Sequence, residues 1–332
     1  MTDNPPGLDL AALQAHLGTG PLSAELIEGG RSNLTYRLTD GTERWVLRRP
    51  PLGHVLATAH DMAREYRVIG ALHGSPVPVP RTVRLTEDPA VIGAPFYLME
   101  FVEGTAHRDS TALAALGPAR VRALADHLVD TLVALHAIDP QEVGLADFGR
   151  PEGFLARQVQ RWGKQLAASR SREVPGIQTL AERLTAYLPH SPAPALVHGD
   201  YRLDNVLVGP DDRITAVLDW EMSTLGDPLT DLGLLAMYTD LAGQFAGVIP
   251  GVALAPGFPG GPELIERYAA ESGRDVRQVD WYVAFASFKL AVVLEGIHFR
   301  YSQGRTVGAG FDRVGELVPL FVEHGLTALK ER

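Results

Sequence analysis

His198, Asp200, Asn205 and Asp219 fall close together, in Leu196-Val-His-Gly-Asp-Tyr-Arg-Leu-Asp-Asn-Val-Leu-Val208 and Ile214-Thr-Ala-Val-Leu-Asp-Trp-Glu221. Carboxylate and amide oxygens are hard ligands, and a set of them suits Mg²⁺ together with phosphate. Short strands must hold these groups. The apolar run Ala195 to Val197 reads as a strand ending at His198-Gly199-Asp200. Val206 to Val208 and Ile214 to Leu218, joined by Gly209-Pro210-Asp211-Asp212, read as a hairpin that delivers Asp219 at its end.

H-x-D, then Asn five residues on, then Asp after a hairpin, is the order of protein-kinase-like phosphotransferases. His198-Gly199-Asp200 stands where protein kinases carry H-R-D, and Asp219-Trp220-Glu221 where they carry D-F-G. These variants, with Gly226-Asp227-Pro228-Leu-Thr-Asp231 just after, resemble the aminoglycoside phosphotransferase and choline kinase-like family. Asp219-Trp-Glu-Met-Ser-Thr-Leu-Gly-Asp-Pro228 most resembles the kinase-like domains fused to some acyl-CoA dehydrogenases. Any one of these residues could merely cap a helix; the ordered set does not fit that reading. The resemblance implies an α+β, two-lobed protein-kinase-like fold. Residues 1-102 would form a nucleotide-binding lobe with an antiparallel sheet and a helix, and 103-332 a larger, mostly helical lobe.

Composition agrees. A chain of 332 residues, 45% of them hydrophobic, can build two lobes with packed cores. No uninterrupted apolar run approaches the ~20 residues that span a bilayer. Met1-Thr-Asp-Asn-Pro-Pro does not read as a signal peptide, so a cytoplasmic chain is expected. With no cysteine, disulfides, thiolate metal sites and a Cys nucleophile are excluded. A formal charge of −10 argues against nucleic acid and anionic membranes as partners. The expected partner is a small-molecule hydroxyl acceptor, bound by a monomer or homodimer.

The N-terminal third supplies the nucleotide elements. A helix is expected over Leu8 to Leu17, and strands over Leu22 to Glu28, Leu34 to Thr39 and Arg44 to Arg49. Gly29, Gly30, Arg31, Ser32 and Asn33 form the turn between the first two strands, where kinase-like folds lay backbone N–H groups over phosphates. A plain hairpin turn reads the same way. Alternation puts Val46 and Arg48 on one face of the third strand and Leu47 and Arg49 on the other. By the resemblance Val46 would touch adenine and Arg48 would stand where kinases carry a phosphate-binding lysine. Arginine there is a departure, since its planar fork wants different geometry.

Glu65 lies on the apolar stripe of a helix within His60 to His73, where a carboxylate needs a cation; the resemblance names Arg48. Strands over Val83 to Thr86 and Phe96 to Val102 close the sheet. Met99, Glu100 and Val102 resemble a kinase hinge, which implies adenine bonds to the Glu100 carbonyl and Val102 N–H, with Met99 behind the base.

Further on, helices are expected over Pro118 to Ala137, Gly153 to Ala168 and Ile177 to Leu188, and His136 reads as a packed helix-end residue. Helices over Leu229 to Tyr238, Pro262 to Ser272, Trp281 to Tyr301 and Phe311 to Lys330 should wall the acceptor pocket, and Gln244 to Gly261 reads as a mobile loop above it. The resemblance implies ATP and Mg²⁺: Asp200 takes the acceptor proton, Asn205 and Asp219 hold the metal, and Arg202 meets the γ-phosphate. Asp227 and Asp231 are expected to brace the catalytic loop, and Glu221 is a third acid near the metal or a solvated one. Family acceptors include aminoglycosides, amino alcohols and hydroxyacyl compounds; His298, Arg300 and Arg305 could meet an anionic one. A nucleotide-binding regulator without turnover is the alternative reading.

Overall fold

The computed structural model describes residues 4–27, 33–52, 60–169, 171–244, 251–304, 311 and 313–330. It begins with α1 (Leu10–Leu17), whose N-terminus is capped by Asp9 on the Ala12 N–H and whose end is turned by Gly18 at φ 69°. Strands β1 (Ser23–Leu26), β2 (Leu34–Thr39) and β3 (Arg44–Arg49), helix α2 (Met62–Leu72), and strands β4 (Thr82–Thr86) and β5 (Phe96–Glu100) follow. The strands make one antiparallel sheet in the order β1-β2-β3-β5-β4.

Both faces of β3 are used, as its alternation predicts. Leu47 is fully buried with Tyr36, Leu38 and Leu98 in a small core covered by Leu10 and Leu13 of α1. Val46 and Met99 point the other way, into the main core with Val68, Ile69 and Leu72 of α2. Arg49 shares the Leu47 side and donates to the Gly7 and Ile92 carbonyls. Arg48 lies on the Val46 side, within reach of the C-terminal part.

That part contains α3 (Ser110–Ala114), α4 (Pro118–Ala137), α5 (Phe154–Ser169), α6 (Ile177–Ala186), α7 (Leu229–Asp240), α8 (Gly261–Ser272), α9 (Val279–Ser302) and α10 (Val314–Ala328). The expected hairpin is present as β7 (Val206–Val208) and β8 (Ile214–Val217). Strand β6 (Ala195–Val197) pairs instead with β9 (Thr224–Gly226), which pins the segment after Asp219 beside the strand that leads to Asp200. By length and composition α9 could cross a membrane, but 67% of the qualifying window is buried inside the fold.

Two arginines of α2 reach across to the C-terminal part. Arg64 stacks on Phe148 and donates to the Phe148 and Ser223 carbonyls. Arg67 donates to the Gly144 carbonyl (2.9 Å) and pairs with Asp147. The loop expected to be mobile over the pocket is packed where described. Val252 is buried, and a side chain on Gly257 would meet the Pro118 carbonyl oxygen at 2.2 Å. Residues 245–250 lie outside the described residues.

Candidate active site

The site is built outward from His198. Gly199 has φ 86°, and a Cβ there would lie 2.6 Å from the Met222 carbonyl oxygen, so only glycine fits between β6 and the next turn. Asp231, near the start of α7, accepts the His198 N–H (2.7 Å) and the Gly199 N–H (2.8 Å). The buried imidazole then ties two loops together. Its Nδ1 accepts the Asp200 N–H (3.2 Å) and its Nε2 donates to the Leu218 carbonyl (2.9 Å). That pattern requires the neutral ring protonated at Nε2. Trp220 packs on it at 4.7 Å between ring centroids.

The bracing expected of Asp231 is thus present. Burial opposes its charge, but His136 and the His198 backbone N–H outweigh this and hold its carboxyl below the usual range. His136 is buried between Asp231 (3.3 Å) and the Tyr268 hydroxyl (2.8 Å), as a packed helix-end residue should be. Asp227 corrects the expectation. It accepts the Leu229 N–H (3.0 Å) and the Tyr282 hydroxyl (2.7 Å), so it caps α7 and anchors α9 rather than the catalytic loop. Asp231→Ala should cost about 2–4 kcal/mol, since it strands two buried N–H groups and His136. Urea unfolding reads this as a lower midpoint at unchanged m; a loss under about 1 kcal/mol would refute the bracing role.

Asp200 and Asn205 face each other across the loop. The Asn205 side-chain N–H groups donate to the Asp200 carbonyl (2.9 Å) and carboxylate (3.0 Å). Both amide donors are then engaged, and the amide oxygen is the atom left for a hard cation. Arg202 sits 3.5 Å from Asp200 and 3.1 Å from Asp204, beneath the Tyr238 ring. The Tyr238 hydroxyl hydrogen-bonds Asp200; burial and that carboxylate raise its pKa.

On the sheet side, Arg48 joins three acids. Its Nε lies 3.1 Å from Glu65, which is fully buried, and its terminal nitrogen pairs with Asp219 and stands 3.7 Å from Glu221. The pair expected from the apolar stripe of α2 is therefore in place, with Asp219 added. Burial pushes the Glu65 carboxyl up and Arg48 pulls it back. Burial also works against the Arg48 charge, yet the acids around it leave its pKa raised. Asp219 takes φ 65°, a left-handed conformation that Asp tolerates better than most residues. Glu221 accepts from the Asn33 side chain (2.9 Å), whose oxygen meets His60 (2.8 Å), so it ties the end of the turn to the D-W-E segment. Gly29, Gly30, Arg31 and Ser32 lie outside the described residues.

At the hinge, Met99 pairs with Val46 and Glu100 with Trp45. Phe101 donates to the Arg44 carbonyl on the β3 side (3.4 Å), and Glu100 to Arg81 (2.9 Å). Val102 itself lies past the end of β5.

Among the described residues no group of three His, Cys, Asp or Glu could hold a metal. Asp219 with the Asn205 amide oxygen fits Mg²⁺ nonetheless, because this ion takes one or two protein ligands and completes its shell with phosphate and water.

Beyond Gly199 opens a cavity of about 270 Å³, lined by Gln158, Arg161 and Trp162 of α5, Thr230 and Leu234 of α7, and Phe285 and Lys289 of α9, among others. So α7 and α9 wall it as expected, but α8 and α10 do not, and α5 does. His298 and Arg300 are not among its lining, which corrects the expectation for those two, and Arg305 lies outside the described residues. His298 packs against Gly315. Lys289 was missed by the sequence reading, although a single lysine amid the apolar run of α9 is a signal that it serves something. Its ammonium donates to the Gly199 carbonyl (2.8 Å); burial lowers its pKa, opposed by Asp200 and Asp231.

An antiparallel sheet packed on a helix, a helical part, and the carboxylate and amide side chains at their junction define a protein-kinase-like phosphotransferase fold. The phosphotransferase enzyme family model matches residues 23–282, and the chain belongs to this family. A crystal structure from Ralstonia eutropha JMP134, provisionally assigned as an aminoglycoside phosphotransferase, is 36% identical with TM-score 0.84, covering 97% of this chain and 98% of that one. The ternary complex of aminoglycoside phosphotransferase APH(4)-Ia with AMP-PNP and hygromycin B shares the fold at 16% identity and TM-score 0.67, covering 96% and 97%. Acyl-CoA dehydrogenase family member 10 of Mus musculus is 34% identical over 92% of this chain, and member 11 of Gallus gallus 35% over 94%. The chain spans only 29% and 41% of their respective lengths.

Proposed function

We propose that the chain transfers the γ-phosphoryl group of ATP, with Mg²⁺, to a hydroxyl of a small molecule. The observation that carries this is the Glu65–Arg48–Asp219 array joined through His198 to the Asp200–Asn205 pair, which brings a cation for phosphate and a carboxylate for the acceptor proton into one assembly. Asp200 takes the proton of the acceptor hydroxyl as its oxygen bonds to the γ-phosphorus and the bridging bond to ADP breaks. Asp219 and Asn205 hold Mg²⁺, which neutralises phosphate charge when bound. Arg202, engaged with Asp200 and Asp204, keeps the base in place; the γ-phosphate contact implied by the resemblance would need it to leave one of them.

Arg48→Ala should weaken ATP binding by about 1.5–3 kcal/mol, the size of one charge-assisted contact. Arg48→Lys should recover only part, since one ammonium cannot reach Glu65 and Asp219 as two guanidinium nitrogens do. Arg49→Ala should leave nucleotide affinity unchanged; the reverse pattern in calorimetry would defeat the assignment.

The names of the relatives set this domain beside acyl-CoA dehydrogenases, which supports a hydroxyacyl-CoA or hydroxy-acid acceptor over an aminoglycoside-like or amino-alcohol one. An ADP-formation screen over those four classes, with and without chelator, tests the proposal. Mg²⁺-dependent turnover with one class supports it; tight ATP binding with no turnover on any acceptor would favour the regulator reading.

A further inference from the structure

The cavity beyond Gly199 is electrostatically uneven in a way the overall charge of −10 hides. Its acids are already engaged. Asp61 caps α2 through the Arg64 N–H (2.9 Å), Asp231 holds the H-G-D backbone, and Glu221 serves Asn33 and Arg48. Arg64 is committed to two carbonyls. Arg161 and Lys289 differ. Arg161 is exposed and makes no ion pair among the described residues, and its guanidinium lies 5.6 Å from the Trp162 ring centre. Lys289 approaches the same ring at 5.9 Å and gives one of its three N–H groups to Gly199. Two cations thus flank one indole on the cavity wall, with donors to spare.

We infer that Arg161 and Lys289 form a subsite for an anionic group on the acceptor, with the apolar faces of Trp162, Leu234 and Phe285 receiving the carbon chain that joins it to the hydroxyl. This rests on the cavity being the acceptor pocket of the proposed kinase. Lys289 couples the two halves of the task. Holding the Gly199 carbonyl fixes the turn whose next residue is Asp200, while its remaining N–H groups meet the anion. An acceptor with a cationic group would be repelled by the same pair. A side chain of one charge sign, lining a site whose acids are all engaged, sets specificity more than bulk affinity.

The test is equilibrium binding by ligand-observed NMR on the full chain, with 6-hydroxyhexanoate, 1,6-hexanediol and 6-amino-1-hexanol as probes of equal length. The acid should bind about tenfold tighter than the diol, the effect of one charge-assisted contact, and the amine more weakly than either. Arg161→Ala and Lys289→Met should each erase most of that preference while leaving the diol alone, and Lys289→Arg should keep it. Arg161 is exposed, so its variant will fold if the wild type does. A wild type that binds acid and diol equally would overturn the subsite. So would a preference that survives both truncations, or a Lys289→Met that weakens acid and diol alike, which would make the lysine a prop for Gly199 only. ADP formation is measured separately. Selective acid binding without turnover would leave the subsite standing and sink the kinase reading; turnover on uncharged acceptors alone would do the opposite.

Discussion

Asp200→Asn is expected to bind Mg²⁺·ATP as the wild type does and to lose transfer by about 10²–10⁴-fold, the range for a removed general base. The substitution is close to isosteric. Its side-chain oxygen can still accept the Asn205 amide N–H, now 3.0 Å from the carboxylate, and its backbone N–H still reaches His198. What disappears is the proton acceptor and half of the charge facing Arg202. Nucleotide affinity by calorimetry and turnover by ADP release should therefore separate. Turnover within a few-fold of wild type would remove Asp200 from the chemistry, and a parallel loss of ATP affinity would make it a structural residue.

The second large effect concerns Asp219, and here the choice of variant matters. At φ 65° an alanine would add backbone strain of about 1 kcal/mol or more, so a loss in Asp219→Ala would mix folding with function. Asparagine tolerates that conformation, which makes Asp219→Asn the cleaner variant. It should bind ATP in chelator nearly as the wild type does, and lose most of the gain that Mg²⁺ confers, on the order of tenfold or more. Arg48 keeps Glu65 as a partner, so the sheet side of the cleft stays assembled. Equal Mg²⁺·ATP affinities in variant and wild type would strike Asp219 from the metal ligands.

Much of this site could be read before any coordinates, for physical reasons. The β3 strand lies over Arg44 to Arg49 because alternation and the Pro50-Pro51 stop leave no other place, and the same alternation separates Arg48 from Arg49. Helix α4 runs from Pro118 to Ala137 as its stripe predicts, Pro118 being suited to a first turn. Glu65 could be assigned a cation because a carboxylate on an apolar stripe demands one. The misses have causes too. Strand β9 is three residues long, too short for periodicity, and forms only because β6 offers it an edge. Asp227 and Asp231 look alike in sequence, yet one turn of helix sends their carboxylates to different partners. The cavity wall escaped notice because Arg161 and Lys289 come from helices far apart in the chain, and α9 is apolar almost all round, so its period points to no face.

His198 gives two loops a common mechanical fate. One ring nitrogen grips the backbone ahead of the proton acceptor and the other grips the backbone ahead of Asp219, while the Leu218 N–H closes the circuit on the Asn205 carbonyl (2.8 Å). Asp200, Asn205 and Asp219 therefore travel as one rigid piece. If the sheet tilts against the helices, that piece keeps its internal spacing, and what stretches are the contacts that cross to it from the sheet side, Arg48 to Asp219 and Asn33 to Glu221. The seam of this molecule runs through those two contacts, and a tilt is felt there before it is felt among the three residues that His198 holds together.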